Sequence, residues 1–328
     1  MRTILNRVTT VLCASAIALT AFASTPAHAN STPEPRPTAS LQPVASFGSN
    51  PGALAMYAYI PDTVAATPAV VVAAHGCAQD AAAYHGHSGW QRYADEWGFI
   101  VVYPQQPMSN NFNKCFNWFE PADQGRSGEA ASIASMVGHA VTTWGADPSR
   151  VYVTGLSAGG AMSAIMLAAY PELFAGGSII GGIPYRCATS SISAFSCMNP
   201  GTDRTPAAWG DLVRAANTGY DGPRAKVAIW HGGADYVVAT RNGAESRDQW
   251  TNVHGVAATP TETVALPANT TLDKYGTDDV RVYTVAGMGH GTPVDPGTGP
   301  DQCGTAGAYF LDTICSTYHD AVYFGLNG

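Results

Sequence analysis

The chain has 328 residues, of which 46% are hydrophobic and 12% charged, with a formal charge of −8. That much apolar content over this length can bury one large core, and it excludes a wholly disordered chain. The acidic balance argues against nucleic acid or an anionic membrane as a partner. Residues 1–29 read as a secretory signal: Arg2 and Arg7 open it, Val8 to Ala23 is mostly apolar, and Ala-His-Ala ends at Ala29 as a small-residue cleavage site. No other stretch is apolar and long enough to span a bilayer. Removal of the signal takes away two arginines and no acids, so the charge moves from −8 to −10. The mature protein is therefore expected to be secreted and extracellular.

Residues 30–43, proline-rich and polar, read as a disordered leader. A single catalytic-sized domain is expected over residues 44–328. It opens with an antiparallel hairpin over 44–61, turning at Gly-Ser-Asn-Pro-Gly. Short β-branched runs then recur at 68–75, 99–104, 150–155, 176–182, 226–232 and 279–285, separated by helix-like segments. Near-continuous apolar strands are expected where both faces of a sheet are covered. One helix is marked by Ile133, Met136, Val137, Ala140, Val141 and Trp144 at helical spacing, with Ser127 and Glu129 suited to its first turn and Gly145 to its end. The fold class is α/β, a mostly parallel central sheet with an antiparallel N-terminal hairpin and helices on both faces.

Six cysteines remain once Cys13 leaves with the signal, an even number that suits disulfides in an exported chain. None forms a Cys-x-x-Cys pair, so no metal site is expected. Local pairs Cys187–Cys197 and Cys303–Cys315 are favoured, which leaves Cys77–Cys115. Twelve residues of straight helix would hold Cys303 and Cys315 about 18 Å apart, so that pair requires the chain to bend back.

The run Gly155-Leu156-Ser157-Ala158-Gly159 follows a β-rich stretch and precedes helix-compatible residues, the context of a nucleophile elbow. A serine there stands above the sheet edge at a helix N-terminus. It needs a base and an orienting carboxylate, in the chain order Ser, Asp, His, each after a strand. Asp235 follows the run at 226–232, and His290 lies in a glycine-flanked loop after the run at 279–285. Asp203, Asp211 and Asp221 precede their strand, while His254 and His319 fall on helical segments. For an oxyanion, the Ala158 amide supplies one donor and Cys77, after Gly76, the other. His75 is read as a loop brace rather than a second base, and it also stands among the candidate substrate contacts. Trp118, Trp230, Tyr84 and Trp90 are candidates for an acyl pocket, weighed against ordinary core packing. Arg126 and Glu129 read as bracing the long helix.

The segments AAHGCAQD, CFNWFEPADQGRSGEAASIASMV, GLSAGGAM, WHGGADYVV and GMGHGTPVDPG with DQCGTAGAYFLDTICS resemble the extracellular poly(3-hydroxybutyrate) depolymerase family of α/β-hydrolases. Feruloyl and acetylxylan esterases share much of the pattern. The resemblance covers residues 45–325 and implies Ser157, Asp235 and His290 as triad, Cys77 and Ala158 as oxyanion donors, and a Cys77–Cys115 disulfide. It implies a serine esterase acting on a polyester or related ester; that chemistry needs no metal or organic cofactor, and a monomer is expected. Many polymer-degrading members carry a linker and a polymer-binding domain after the catalytic one, and this sequence has neither. Soluble oligomers, amorphous polymer or hydroxycinnamate esters are therefore expected before crystalline granules. Three readings follow: a polyhydroxyalkanoate esterase, a feruloyl or acetylxylan esterase of plant cell walls, or a catalytically silent binding protein on the same fold.

Overall fold

The computed structural model describes residues 39–328; the signal and most of the leader lie outside them. Twelve strands are β1 Gln42–Val44, β2 Ala55–Tyr59, β3 Val70–Ala74, β4 Ile100–Gln105, β5 Val151–Leu156, β6 Gly176–Ile180, β7 Lys226–Gly232, β8 Glu262–Leu266, β9 Thr270–Tyr275, β10 Val280–Val285, β11 Thr292–Val294 and β12 Phe310–Asp312. Eight helices are α1 Ala81–Ser88, α2 Trp90–Trp97, α3 Gly128–Trp144, α4 Ala158–Ala169, α5 Ser191–Met198, α6 Pro206–Ala216, α7 Arg241–His254 and α8 Ser316–Phe324. The first ten strands form one sheet in the order β1-β2-β4-β3-β5-β6-β7-β10-β9-β8, and β11 pairs with β12 apart from it. From β4 to β10 every pairing is parallel, whereas β1 and β2 at one edge and β8 and β9 at the other run antiparallel. The α/β expectation therefore holds.

The strand runs are apolar throughout because successive side chains enter two different cores. Val70, Val72 and Ala74 of β3 pack with α3 and α4, while Val71 and Ala73 pack with α1, α2 and α8. β7 repeats the division, with Val227 and Ile229 on the first side and Ala228 and Trp230 on the second. Each such fully buried Val or Ile favours the fold by roughly 1.5–3 kcal/mol relative to exposure. In α3 the predicted stripe is buried at Ile133, Met136, Val137, Ala140 and Trp144, and Gly145 ends the helix in the left-handed region at φ 69°. The Ser127 hydroxyl turns away and donates to the Ala122 carbonyl, so the helix start is held by the Asp123 carboxylate, which accepts from the Glu129 amide at 2.7 Å.

Two boundaries differ from the sequence reading. Gln42 and Pro43, expected in the leader, lie in β1 and pair with β2. The hairpin β8–β9, which no sequence signal marked, extends the sheet beyond β10. β8 reads Glu-Thr-Val-Ala-Leu and has no fully buried residue, while β9 mixes threonine and charged residues with the buried Leu272 and Tyr275. The three expected disulfides are present, Cys77–Cys115, Cys187–Cys197 and Cys303–Cys315. The bend required by the last is made through β12, before α8 begins at its N-cap Cys315. Among the described residues no helix is long and apolar enough to cross a membrane.

Trp230 is fully buried, stacked on Tyr283 with centroids 3.8 Å apart, and its indole N–H donates to Asp320 Oδ1 at 2.8 Å. Burial raises the Asp320 carboxyl from its usual 3.8 to about 7, so its neutral form is the one the fold favours. The stability this contributes is full below pH 3.8 and is lost as pH rises through about 7. Asp320→Asn is expected to flatten the decline in unfolding free energy between those limits, as read by denaturant titration at several pH values; a decline as steep as in the parent would contradict it.

Candidate active site

Four loops meet at the carboxyl ends of the parallel strands, following β3, β5, β7 and β10. Ser157 follows β5 and has φ 57° and ψ −115°, a conformation that a residue with a side chain adopts only under strain. It is held there by two hydrogen bonds: its amide donates to the Ile180 carbonyl and its carbonyl accepts from the Ala161 amide, both at 2.8 Å. The turn also requires two missing side chains. A Cβ on Gly159 would strike the carbonyl oxygens of Ala74 and His75, and one on Gly155 would meet the Gly159 backbone at 2.5 Å. Thus α4, buried along its whole length, starts directly against β3 and β5.

His290 Nδ1 and Asp235 Oδ2 are hydrogen-bonded at 2.7 Å. The other carboxylate oxygen, Asp235 Oδ1, accepts from the Val237 and Val238 amides, each at 2.9 Å. Burial works against ionisation of Asp235, but the His290 contact and these donors outweigh it and hold the carboxyl below its usual range. The loops bearing the two residues are tied together, since the Ala234 amide donates to the Met288 carbonyl at 2.9 Å. His231 supports the same turn: its Nε2–H donates to the Val238 carbonyl at 2.9 Å and lies 3.7 Å from Asp235 Oδ2. Burial lowers the His231 pKa, against the Val238 carbonyl and Asp235, which raise it.

Ser157 and His290 line one cleft of about 250 Å³ with Gly76, Cys77, Ala78, Asn113, Cys115, Leu156, Met198, Val237 and Tyr309. Asp235 stands behind His290. Among the described residues the Cys77 and Ala158 amides donate to no protein group. Cys77 is fixed by its bond to Cys115 and by the Ala78 amide, which donates to the Asn113 carbonyl at 2.8 Å. The 106–117 loop in turn wraps the buried Glu129, whose carboxylate accepts from the Asn117 amide at 2.8 Å and from Asn117 Nδ2 at 2.7 Å. Burial pushes the Glu129 carboxyl up to about 8. Glu129 thus braces the Cys77–Cys115 side of the cleft, a role beyond the helix start. Its expected companion Arg126 instead pairs with Glu172 at 2.6 Å.

The structure brings Ser157, His290, Asp235, Cys77 and Ala158 together, but it removes the proposed substrate aromatics. Trp118 packs in the core against Phe119, Trp230 stacks on Tyr283, and Tyr84 of α1 and Trp90 of α2 are buried in the second core. His75 is fully buried and braces its own loop: Nδ1 contacts the Gly76 carbonyl at 2.7 Å, and Nε2 accepts from the Gln106 amide at 3.1 Å. Burial lowers its pKa to about 4. The walls of the cleft are instead Met198, Val237 and Tyr309, which the sequence reading missed. Val237 had a readable signal, an apolar pair directly after the Asp235 turn; Met198 and Tyr309 had none beyond nearness to disulfide cysteines. No group of three or more metal-ligating side chains converges among the described residues.

A family model described as esterase PHB depolymerase matches residues 54–271. Poly(3-hydroxyalkanoate) depolymerase C of Paucimonas lemoignei is 54% identical over 293 residues, 88% of this chain and 70% of that protein. Feruloyl esterase B of Neurospora crassa is 38% identical over 266 residues, 78% of this chain and 90% of that one. Among solved structures, an acetyl xylan esterase from Aspergillus awamori superposes with a TM-score of 0.76 at 31% identity, over 88% of this chain and 99% of that one. The chain belongs to the esterase PHB depolymerase family and is an α/β-hydrolase esterase.

Proposed function

We propose that the chain is a secreted serine esterase that cleaves short-chain polyhydroxyalkanoate, or its oligomers, through an acyl-enzyme. The observation that carries the reading is the 2.7 Å contact between His290 and Asp235 beside Ser157, in a cleft that also holds Cys77. With Nδ1–H directed at Asp235, the Nε2 lone pair of His290 is free to take the Ser157 proton. The Ser157 oxygen attacks the ester carbonyl carbon, and the resulting oxyanion accepts from the Cys77 and Ala158 amides. His290 Nε2–H then protonates the departing alcohol, leaving the acyl group on Ser157. Water, losing its proton to His290, attacks that acyl carbon; the acid departs and the proton returns to Ser157. Asp235, kept ionised by its surroundings, orients the ring and stabilises its charged form.

Substrate preference rests on kinship. The 54% identity to a poly(3-hydroxyalkanoate) depolymerase exceeds the 38% to a feruloyl esterase. The second reading, a feruloyl or acetylxylan esterase, is favoured by the likeness to the Aspergillus awamori acetyl xylan esterase at TM-score 0.76. Export is supported by the three disulfides, which persist in oxidising compartments.

Ser157→Ala is expected to lower turnover of p-nitrophenyl butyrate by roughly 10⁵–10⁶ with an unchanged circular dichroism spectrum. Asp235→Asn, which spoils the tautomer and orientation of His290, is expected to lower kcat by roughly 10⁴. Retention of parental activity by the Ser157 variant would defeat the mechanism. Side by side, amorphous poly(3-hydroxybutyrate) is expected to be the better substrate than methyl ferulate or acetylated xylan; the reverse order would transfer the assignment to the second reading.

A further inference from the structure

We infer that the rim of the cleft is a docking face for the neutral, apolar surface of a solid polyester, a conclusion that rests on the esterase reading above. Exposed apolar side chains are ordinary when scattered singly, but contiguous ones mark an interaction site. Here they gather on the segments that build the cleft. Met108 and Phe112 precede the cleft-lining Asn113, Ile192 and Phe195 lie on α5, which ends at cleft-lining Met198, Tyr236 joins Asp235 to Val237, and Tyr309 lines the cleft itself. Phe112, Ile192, Phe195 and Tyr236 are 80%, 83%, 73% and 85% exposed. Outside these segments, Val322 of α8 is the one other large hydrophobic residue among the described residues that is comparably placed, at 36%.

The segments are joined to one another. Asn199 Nδ2 donates to the Tyr236 carbonyl at 3.0 Å, and the Ala239 amide to the Met198 carbonyl at 2.8 Å. The Tyr309 ring stands edge-on to His290 with centroids 6.2 Å apart. The outward face of α5 is also held in place. Ile192 and Phe195 share one side of that helix, three residues apart, while Ala194 and Cys197 are buried on the other. The Cys187–Cys197 disulfide and the Ser190–Ser193 capping box fix the helix, so its apolar side cannot fold inward.

Charge selects the partner. Residues 105–113, 187–202, 236–240 and 302–311 contain no Lys, Arg, Asp or Glu, in a chain with 16 basic and 24 acidic residues. An uncharged apolar rim offers nothing to an anionic polymer. A polysaccharide would use the aromatic rings through its C–H faces but leave the alkyl side chains of Met108 and Ile192 largely unmatched. A polyester surface of alkyl and ester groups matches the rim, and the cleft at its centre receives the scissile ester.

The test is adsorption of the whole chain carrying Ser157→Ala, which needs no turnover, onto an amorphous poly(3-hydroxybutyrate) film followed by quartz-crystal microbalance. Adding Ile192→Ser with Phe195→Ser is expected to weaken adsorption about tenfold or more, the order set by losing two buried apolar contacts. Phe112→Ser, on a separate segment, is expected to weaken it to a smaller degree. With Ser157 restored, the same changes should leave kcat/KM on soluble p-nitrophenyl butyrate unaltered. Adsorption equal to the parent's would overturn the proposal. So would equal losses on film and soluble ester, or a dimer in sedimentation that these substitutions dissociate, which would make the face a contact between copies of this chain. Absence of soluble-ester turnover in the parent would count against the esterase reading alone, since adsorption is read without it.

Discussion

The candidate site depends on how closely α4 approaches the sheet behind Ser157. Gly155 and Gly159 let the first turn of α4 press on the carbonyls of Ala74 and His75. That approach leaves Ser157 no relaxed conformation and fixes it at φ 57°. The strain, of order 1–3 kcal/mol, is offset by a helix buried along its length between β3, β5 and β6. It also brings the start of α4 beside the β3 loop, against the carbonyls of Ala74 and His75. Were the packing looser, the serine would be free to relax.

Around that fixed point the other groups are held by redundancy. Asp235 is bound through both carboxylate oxygens, to His290 on one side and to two amides on the other. His231 fastens the far end of the same turn, and the Ala234–Met288 hydrogen bond couples the Asp235 and His290 loops. On the opposite side the Cys77–Cys115 bond and the Glu129 side chain pin the loops that carry Cys77 and Cys115. Polar groups withdrawn from water require such complete pairing, because an orphaned buried donor costs about 1–3 kcal/mol.

The sequence made some of this legible and hid the rest for identifiable reasons. Ser157, Asp235 and His290 could be located because each sits just past an apolar strand, and the strand ends are readable. The paired disulfides followed from cysteine number and spacing. Trp118 and Trp230 were candidates for the pocket because a core aromatic and a pocket aromatic look alike in one dimension. Only the stacking of Trp230 on Tyr283 and its bond to Asp320 decide its place. Met198 and Tyr309 reach the cleft through tertiary contacts that no local pattern encodes. The β8–β9 hairpin escaped because its two short strands mix apolar residues with threonine and charge, and β8 is nowhere fully buried.

The central claim is that Ser157 is a nucleophile activated by His290. It is tested most directly by reacting the protein with a fluorophosphonate and mapping the adduct by peptide mass spectrometry. The account predicts one stoichiometric adduct, on Ser157, formed far more slowly when His290 is replaced by alanine. An unlabelled Ser157 in the folded parent, or labelling indifferent to the loss of His290, would contradict it.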